Sequence, residues 1–109
     1  MTNYLFIESR DAFESRDTQF LEQTAIALKE RGHRVTVFLV QNGVLAARAN
    51  GRDSYLARMA AAEVTLLVDD FSLCERGIET AELVAGLRPS SIELLVDQLV
   101  QENTKAIWH

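Results

Sequence analysis

The residues best equipped for chemistry stand together in VDDFSLCERG, residues 68–77: the chain's one cysteine, Cys74, the carboxylate pair Asp69-Asp70, and the step Arg76-Gly77. A cysteine is a nucleophile as its thiolate, a form favoured beside a helix N-terminus with a cation nearby. Here a helix is expected to open near residues 75–77, with Arg76 two positions beyond Cys74. Against that reading stands packing, because free cysteine is among the most buried residue types and behaves as a small hydrophobe. Phe71-x-x-Cys74 would then plug a loop against the sheet, and the adjacent Glu75 disfavours a thiolate. Both readings are open on the residues alone.

The carboxylates suggest different chemistry. Asp69 and Asp70 at a strand end would suit a hard cation such as Mg²⁺, with Glu8 from a neighbouring strand. That arrangement resembles the acidic pocket of a phosphorylation receiver, with Lys105 as phosphate contact. The alternative is that one aspartate caps the following turn while the other is solvated. A receiver also carries its acidic pair after the first strand, not the third. Asn42-Gly43, in the turn QNGV, would open a helix whose backbone N–H groups face an anion, or serve only as a turn. His33 lies between a helix and a strand and His109 ends the sequence, so both read as surface residues without a partner. Catalytic triads and Walker or Rossmann glycine motifs are absent from the sequence, which removes the commonest hydrolase and nucleotide-binding readings.

These residues need a scaffold, and the composition supports one. The sequence has 109 residues, 48% hydrophobic and 25% charged, with a single proline. That is ordinary globular composition, and a chain of this size buries roughly two-thirds of its unfolded surface. One domain spanning residues 1–109 is expected. A lone cysteine with no Cys or His pair at ligand spacing points to a reducing compartment, hence the cytoplasm, and away from a zinc site. The opening MTNYLFIESRDAFESRD lacks the layout of a signal peptide, and no apolar run reaches the roughly 18 residues of a membrane span. With 11 Lys and Arg against 16 Asp and Glu, a net charge of −5, the chain has no basic footprint for nucleic acid.

Along the chain the hydrophobic period alternates between strand and helix, the mark of an α/β protein. NYLFIE (residues 3–8), RVTVFLV (34–40) and VTLLV (64–68) read as buried strands, and KAIW (105–108) as a closing one. Residues 17–31 carry Leu21, Thr24, Ala25 and Leu28 at helical spacing, with Asp17 or Thr18 as N-cap and Gly32 as the stop. A short helix over 44–49 follows; after the Asn50-Gly51 turn a second runs from about Ser54 to Glu63. Residues 77–85 are expected to be helical until Gly86-Leu87-Arg88-Pro89 breaks them, with a very short strand hidden in 83–88. Ser90 and Glu93 spell a capping box for a helix with Ile92, Leu95, Val96 and Leu99 on one face. The mixed-charge loop of residues 8–17 reads as solvated, unless Phe13 is exposed for docking. Right-handed crossovers then give a three-layer sandwich, a small parallel sheet of 4–5 strands with helices on both faces. Ligands in such folds sit outside the carboxyl ends of the strands, where Asn42, Gly43 and residues 69–77 fall.

The order of RVTVFLVQNGV, VTLLVDDFSLCERGI, the capped helix and KAIW resembles the DsrE/DsrF-like family, small flavodoxin-like proteins of sulfur relay and sulfur oxidation. The most specific segments are FLVQNGV (38–44), DDFSL (69–73) and Arg76-Gly77-Ile78, and the likeness runs from Tyr4 to Trp108. It implies homo-oligomers, dimers, trimers or hexamers, and sulfur carried as a persulfide on a cysteine after the third strand, here Cys74. Arg76, Gly77 and helix N–H groups would stabilise the anion, with Asn42 and Gly43 as the facing wall and Asp69 and Asp70 beside it. Sulfur donor and acceptor proteins are the implied partners, and no metal or organic cofactor is required. In sulfur-carrying members the cysteine stands further ahead of the Arg-Gly step, near the place of Asp69 or Asp70. Two alternatives follow: Cys74 is a displaced acceptor, or the chain is a scaffold or small-ligand binder in which Cys74 only packs.

Overall fold

The computed structural model describes residues 2–11, 17–48 and 54–108. Phe13, the Asn50-Gly51 turn and His109 lie outside them, while Asp17 and Thr18, expected to cap the first helix, are already within it. Five strands, β1 (Asn3–Glu8), β2 (Arg34–Leu39), β3 (Thr65–Asp69), β4 (Leu87–Ser90) and β5 (Thr104–Trp108), form one parallel sheet in the order β4-β3-β2-β1-β5. Four helices, α1 (Asp17–Glu30), α2 (Tyr55–Ala61), α3 (Asp70–Glu75) and α4 (Ile92–Leu99), alternate with them, and 3-10 turns cover Gln41–Ala47 and Thr80–Glu82. The chain therefore marches from β1 to β4 in one direction, then α4 carries it back over the sheet to the far edge.

Both faces of the inner strands are covered, so β1 and β2 are continuous in apolarity where a half-exposed strand would alternate. Successive side chains still point to opposite faces. Val37, Leu39, Leu66 and Val68 pack with Leu21 and Ala25 of α1 and with Leu56 and Met59 of α2. On the other face Leu5, Ile7, Phe38, Val40 and Leu67 meet Leu95 of α4. Ser54 starts α2 as its N-cap, its Oγ accepting from the N–H groups of Leu56 and Ala57. His33 packs its ring edge against Tyr4, with centroids 5.2 Å apart.

Several expectations are corrected. The helix of VDDFSLCERG begins at Asp70 and ends at Glu75, so residues 75–77 close a helix where the sequence suggested an opening. Asp69 explains the shift, because its side chain caps the first turn and nucleates it earlier. Residues 77–85 hold only the 3-10 turn Thr80–Glu82, and the breaker segment itself supplies β4. Pro89 is tolerated because β4 is an edge strand, where one N–H needs no ladder partner. The cap of α4 is Ser91, whose Oγ accepts from Leu94 N–H at 3.4 Å; Ser90 belongs to β4. Of the expected apolar face of α4 only Leu95 is buried, whereas Ile92, Val96 and Leu99 are 52%, 53% and 41% exposed.

Candidate functional site

The carboxyl ends of β1, β2 and β3 are tied into one rim by short polar links. Asp69 is 6% exposed, and its Oδ2 accepts from Ser72 N–H at 3.2 Å and from Ser72 Oγ at 2.7 Å. Ser72 Oγ in turn accepts from Gln41 N–H at 2.9 Å, which joins the loop after β3 to the loop after β2. Gln41 holds a left-handed φ of 50° at that junction. Gly43 completes the lock, since a Cβ there would lie 2.3 Å from the Glu8 carbonyl oxygen at the end of β1. Only a residue without a side chain lets the two backbones approach this closely. Glu8 itself is fully buried, its Oε1 accepting from Arg10 N–H at 3.0 Å.

Arg76 belongs to the same rim. Its guanidinium donates to Asn42 Oδ1 at 3.1 Å and to the Ser72 carbonyl at 3.3 Å, with Glu75 3.8 Å away. Asp69, Asn42, Gly43 and Arg76 thus converge on one another, whereas the sequence suggested that they gather around Cys74.

Cys74 stands apart from them. It is the fifth of the six residues of α3, near the end where carbonyls and not N–H groups are unpaired. Gly77, at φ 66°, terminates the helix: its N–H donates to the Cys74 carbonyl at 3.2 Å and Ile78 N–H to the Leu73 carbonyl at 3.0 Å. That bond pair is a Schellman closure, which favours glycine at the left-handed position. The Arg76-Gly77 step is therefore a helix stop. Cys74 is exposed, and the neighbour that plugs the core is Leu73, at 4% exposure. With Asp70, Gly77 and Thr80, Cys74 lines an open cavity of about 490 Å³.

The carboxylate pair is split between these surroundings. Asp69 turns inward as the helix cap, while Asp70 is exposed on the thiol side. Among the described residues no group of three or more His, Cys, Asp or Glu is placed to hold a metal ion. Lys105 is exposed on β5, at the opposite edge of the sheet from β4.

Three features escaped the sequence reading. Ser72 is a buried bridge, and its signal was present in the spacing Asp69-x-x-Ser72, a cap and its N3 partner. Trp108, 65% exposed at the end of β5, joins Phe71 and Leu95 around a second cavity on the other flank of α3; no local pattern links residues so far apart. Tyr55 is 8% exposed and its hydroxyl has no hydrogen-bond partner. Burial, and then the charges of Glu8, Asp11 and Glu22, push its phenol well above the ordinary value of 10.0.

Comparison with known proteins agrees with this architecture. The profile of the DsrE/DsrF-like family matches residues 3–107. Among solved structures, the YchN protein from E. coli superposes with a TM-score of 0.77 at 20% identity, covering 98% of this chain and all (100%) of that one. MTH1491 from Methanobacterium thermoautotrophicum, described as a protein of unknown function, gives 0.77 at 19% identity with both chains fully (100%) covered. At these identities the structures speak for the fold. No curated protein matches the chain. Among the described residues no helix is long and apolar enough to cross a membrane.

Proposed function

The chain belongs to the DsrE/DsrF-like family, and from that premise we propose that it is a sulfur-relay protein carrying sulfane sulfur on Cys74. The observation that carries this reading is the exposure of Cys74 beside an open cavity at the rim of the sheet. An exposed thiol can be reached by another protein's sulfur, and a buried one cannot. In the loading step the Cys74 thiolate attacks the outer sulfur of a donor persulfide, the donor S–S bond breaks, and the donor leaves as a thiolate. Cys74 then holds the sulfur as Cys–S–S⁻. In the unloading step an acceptor thiolate attacks that outer sulfur and Cys74 departs as thiolate. No external oxidant or reductant enters, because each step exchanges one S–S bond for another.

The flank of α3 changes the supporting cast. Arg76 is engaged with Asn42 and the Ser72 carbonyl, so in this reading it stiffens the rim, and Asp70, Gly77 and Thr80 are the residues around the thiol. We further propose homo-oligomeric assembly, in keeping with the family, and a reducing, cytoplasmic setting. Supporting assembly is the exposed apolar surface at the end of α4 and on β5, away from the Asp69 flank of α3: Val96, Leu99, Val100 and Ile107 are 53%, 41%, 76% and 40% exposed.

The test is intact-protein mass after incubation with polysulfide. A reductant-sensitive gain of sulfur that maps to Cys74 and is lost in Cys74→Ser is expected. An unchanged mass with a native thiol that reacts readily with a disulfide reagent would end the relay reading.

A further inference from the structure

We propose that the cavity on the Asp69 flank of α3 is a binding site for a small organic amine with an apolar or aromatic body, separate from the sulfur-carrying thiol. The cavity measures about 350 Å³ and opens outside the carboxyl ends of β2 and β3, within the range of small-molecule sites and in the place where such sheets bind ligands. Phe71, Ile92, Leu95 and Trp108 form its apolar walls, and Asp69 and Glu75 are its carboxylates. No Lys, Arg or His lines it.

The chemistry of the ligand follows from Asp69. One carboxylate oxygen, Oδ2, caps α3 and accepts from Ser72. The other, Oδ1, is buried with no hydrogen-bond partner. A buried acceptor without a donor carries its full desolvation penalty, and the nearby cation Arg76 is committed to Asn42 and the Ser72 carbonyl. A ligand ammonium would supply the missing donor and offset the charge of Asp69, while Glu75 already lies 3.8 Å from Arg76. Phe71 and Trp108 are 66% and 65% exposed, and aromatic faces of this kind attract organic cations. Leu95, 3% exposed at the floor, suits the ligand's apolar body. The same cavity disfavours carboxylates, phosphates and other anions.

The probes are phenethylamine and its acidic counterpart 3-phenylpropionate. Trp108 is the only tryptophan, so its fluorescence comes from one wall of this cavity, and amide shifts of Gln41, Ser72 and Leu95 give a second readout. Phenethylamine is expected to give saturable changes in both, and 3-phenylpropionate none. Asp69→Asn keeps an acceptor for the helix cap and removes the charge, and should weaken amine binding by about tenfold or more. Ile92→Lys, at an exposed position that tolerates the change, sends a tethered amine to the cavity and should weaken binding as strongly; it decides the matter if Asp69→Asn folds poorly. Cys74→Ser should bind phenethylamine as the parent does, so loss of the relay reading leaves this one standing. Equal binding of amine and acid, unchanged affinity in either cavity variant, or no saturation would overturn the proposal. So would a Trp108 signal that follows protein concentration instead of amine, which would assign the cavity to a second copy of the chain.

Discussion

The two flanks of α3 are built to opposite ends. On one, Asp69, Ser72, Gln41, Asn42 and Arg76 are joined by hydrogen bonds of 2.7 to 3.3 Å, and Gly43 seats the loop against β1. On the other, Cys74 is exposed near the C-terminal end of the helix. Helical geometry produces the division, since residues 71, 72 and 75 share one side and 70, 73, 74 and 77 the other. The difference teaches that closeness in sequence to a conspicuous residue is poor guidance to partnership. Arg76 is two residues from Cys74 and serves the opposite flank.

Substitutions on the two flanks should therefore separate stability from reactivity. The largest effect is expected from Gly43→Ala, whose methyl would meet the Glu8 backbone at 2.3 Å. Neither partner is a flexible side chain, so a loss of about 3 kcal/mol is expected. Urea unfolding measures it, and a midpoint like the parent's would mean that the β1–β2 rim is not tightly locked.

Next comes Ser72→Ala, which strands Gln41 N–H and takes the hydroxyl donor from Asp69 Oδ2, leaving only the backbone N–H of residue 72 on it. A loss of about 1–3 kcal/mol is expected from such unsatisfied buried groups, with sulfur loading retained. Cys74→Ser supplies the contrast, leaving stability within about 0.5 kcal/mol as surface changes do while abolishing loading. If both variants lost stability equally, the division between flanks would fall.

A third contrast uses alkaline pH. Burial and the charges of Glu8, Asp11 and Glu22 raise the Tyr55 phenol above 10.0 in the folded state. From pH 10 upward the unfolded chain releases this proton and the folded chain keeps it, so the unfolded state binds fewer protons and stability falls. The slope for one proton is about 1.4 kcal/mol per pH unit. Tyr55→Phe should remove that part of the slope and leave neutral-pH stability unharmed, because the hydroxyl has no partner to lose. Unfolding curves of the two proteins at pH 9, 10 and 11 make the comparison; parallel slopes would contradict the buried, proton-retaining phenol.

The smallest effect on the folded chain is expected from Val100→Lys, at a residue 76% exposed. Stability of the monomer should stay within about 0.5 kcal/mol, while sedimentation shows a smaller assembly. An unchanged assembly would move the proposed interface away from the end of α4.

Much of the fold was legible. Tyr4 to Ile7, Val37 to Val40 and Leu66 to Val68 are continuous in apolarity because the sheet is covered on both faces. Ser54 and Gly32 marked helix ends by side-chain chemistry and by the left-handed turn that glycine accepts, at φ 88° for Gly32. The candidate site was legible in part. Asn42, Gly43, Asp69 and Arg76 were singled out and do meet, since strand ends in a parallel sheet gather at one rim. Ser72 and Trp108 were missed.

The sequence by itself determined β1, β2, β3, β5, α1, α2 and α4, and that Cys74 falls after β3, because burial period and most capping chemistry are local properties. Three matters were left to the tertiary structure: the flank of α3 that Cys74 occupies, the choice between the cation-site and the helix-cap readings of Asp69-Asp70, and the exposure of Ile92, Val96 and Leu99 on α4. The physical reason is the same for all three. A period shows that side chains share a face, and a cap shows that a turn can begin, but which surface that face meets depends on elements brought together from across the chain.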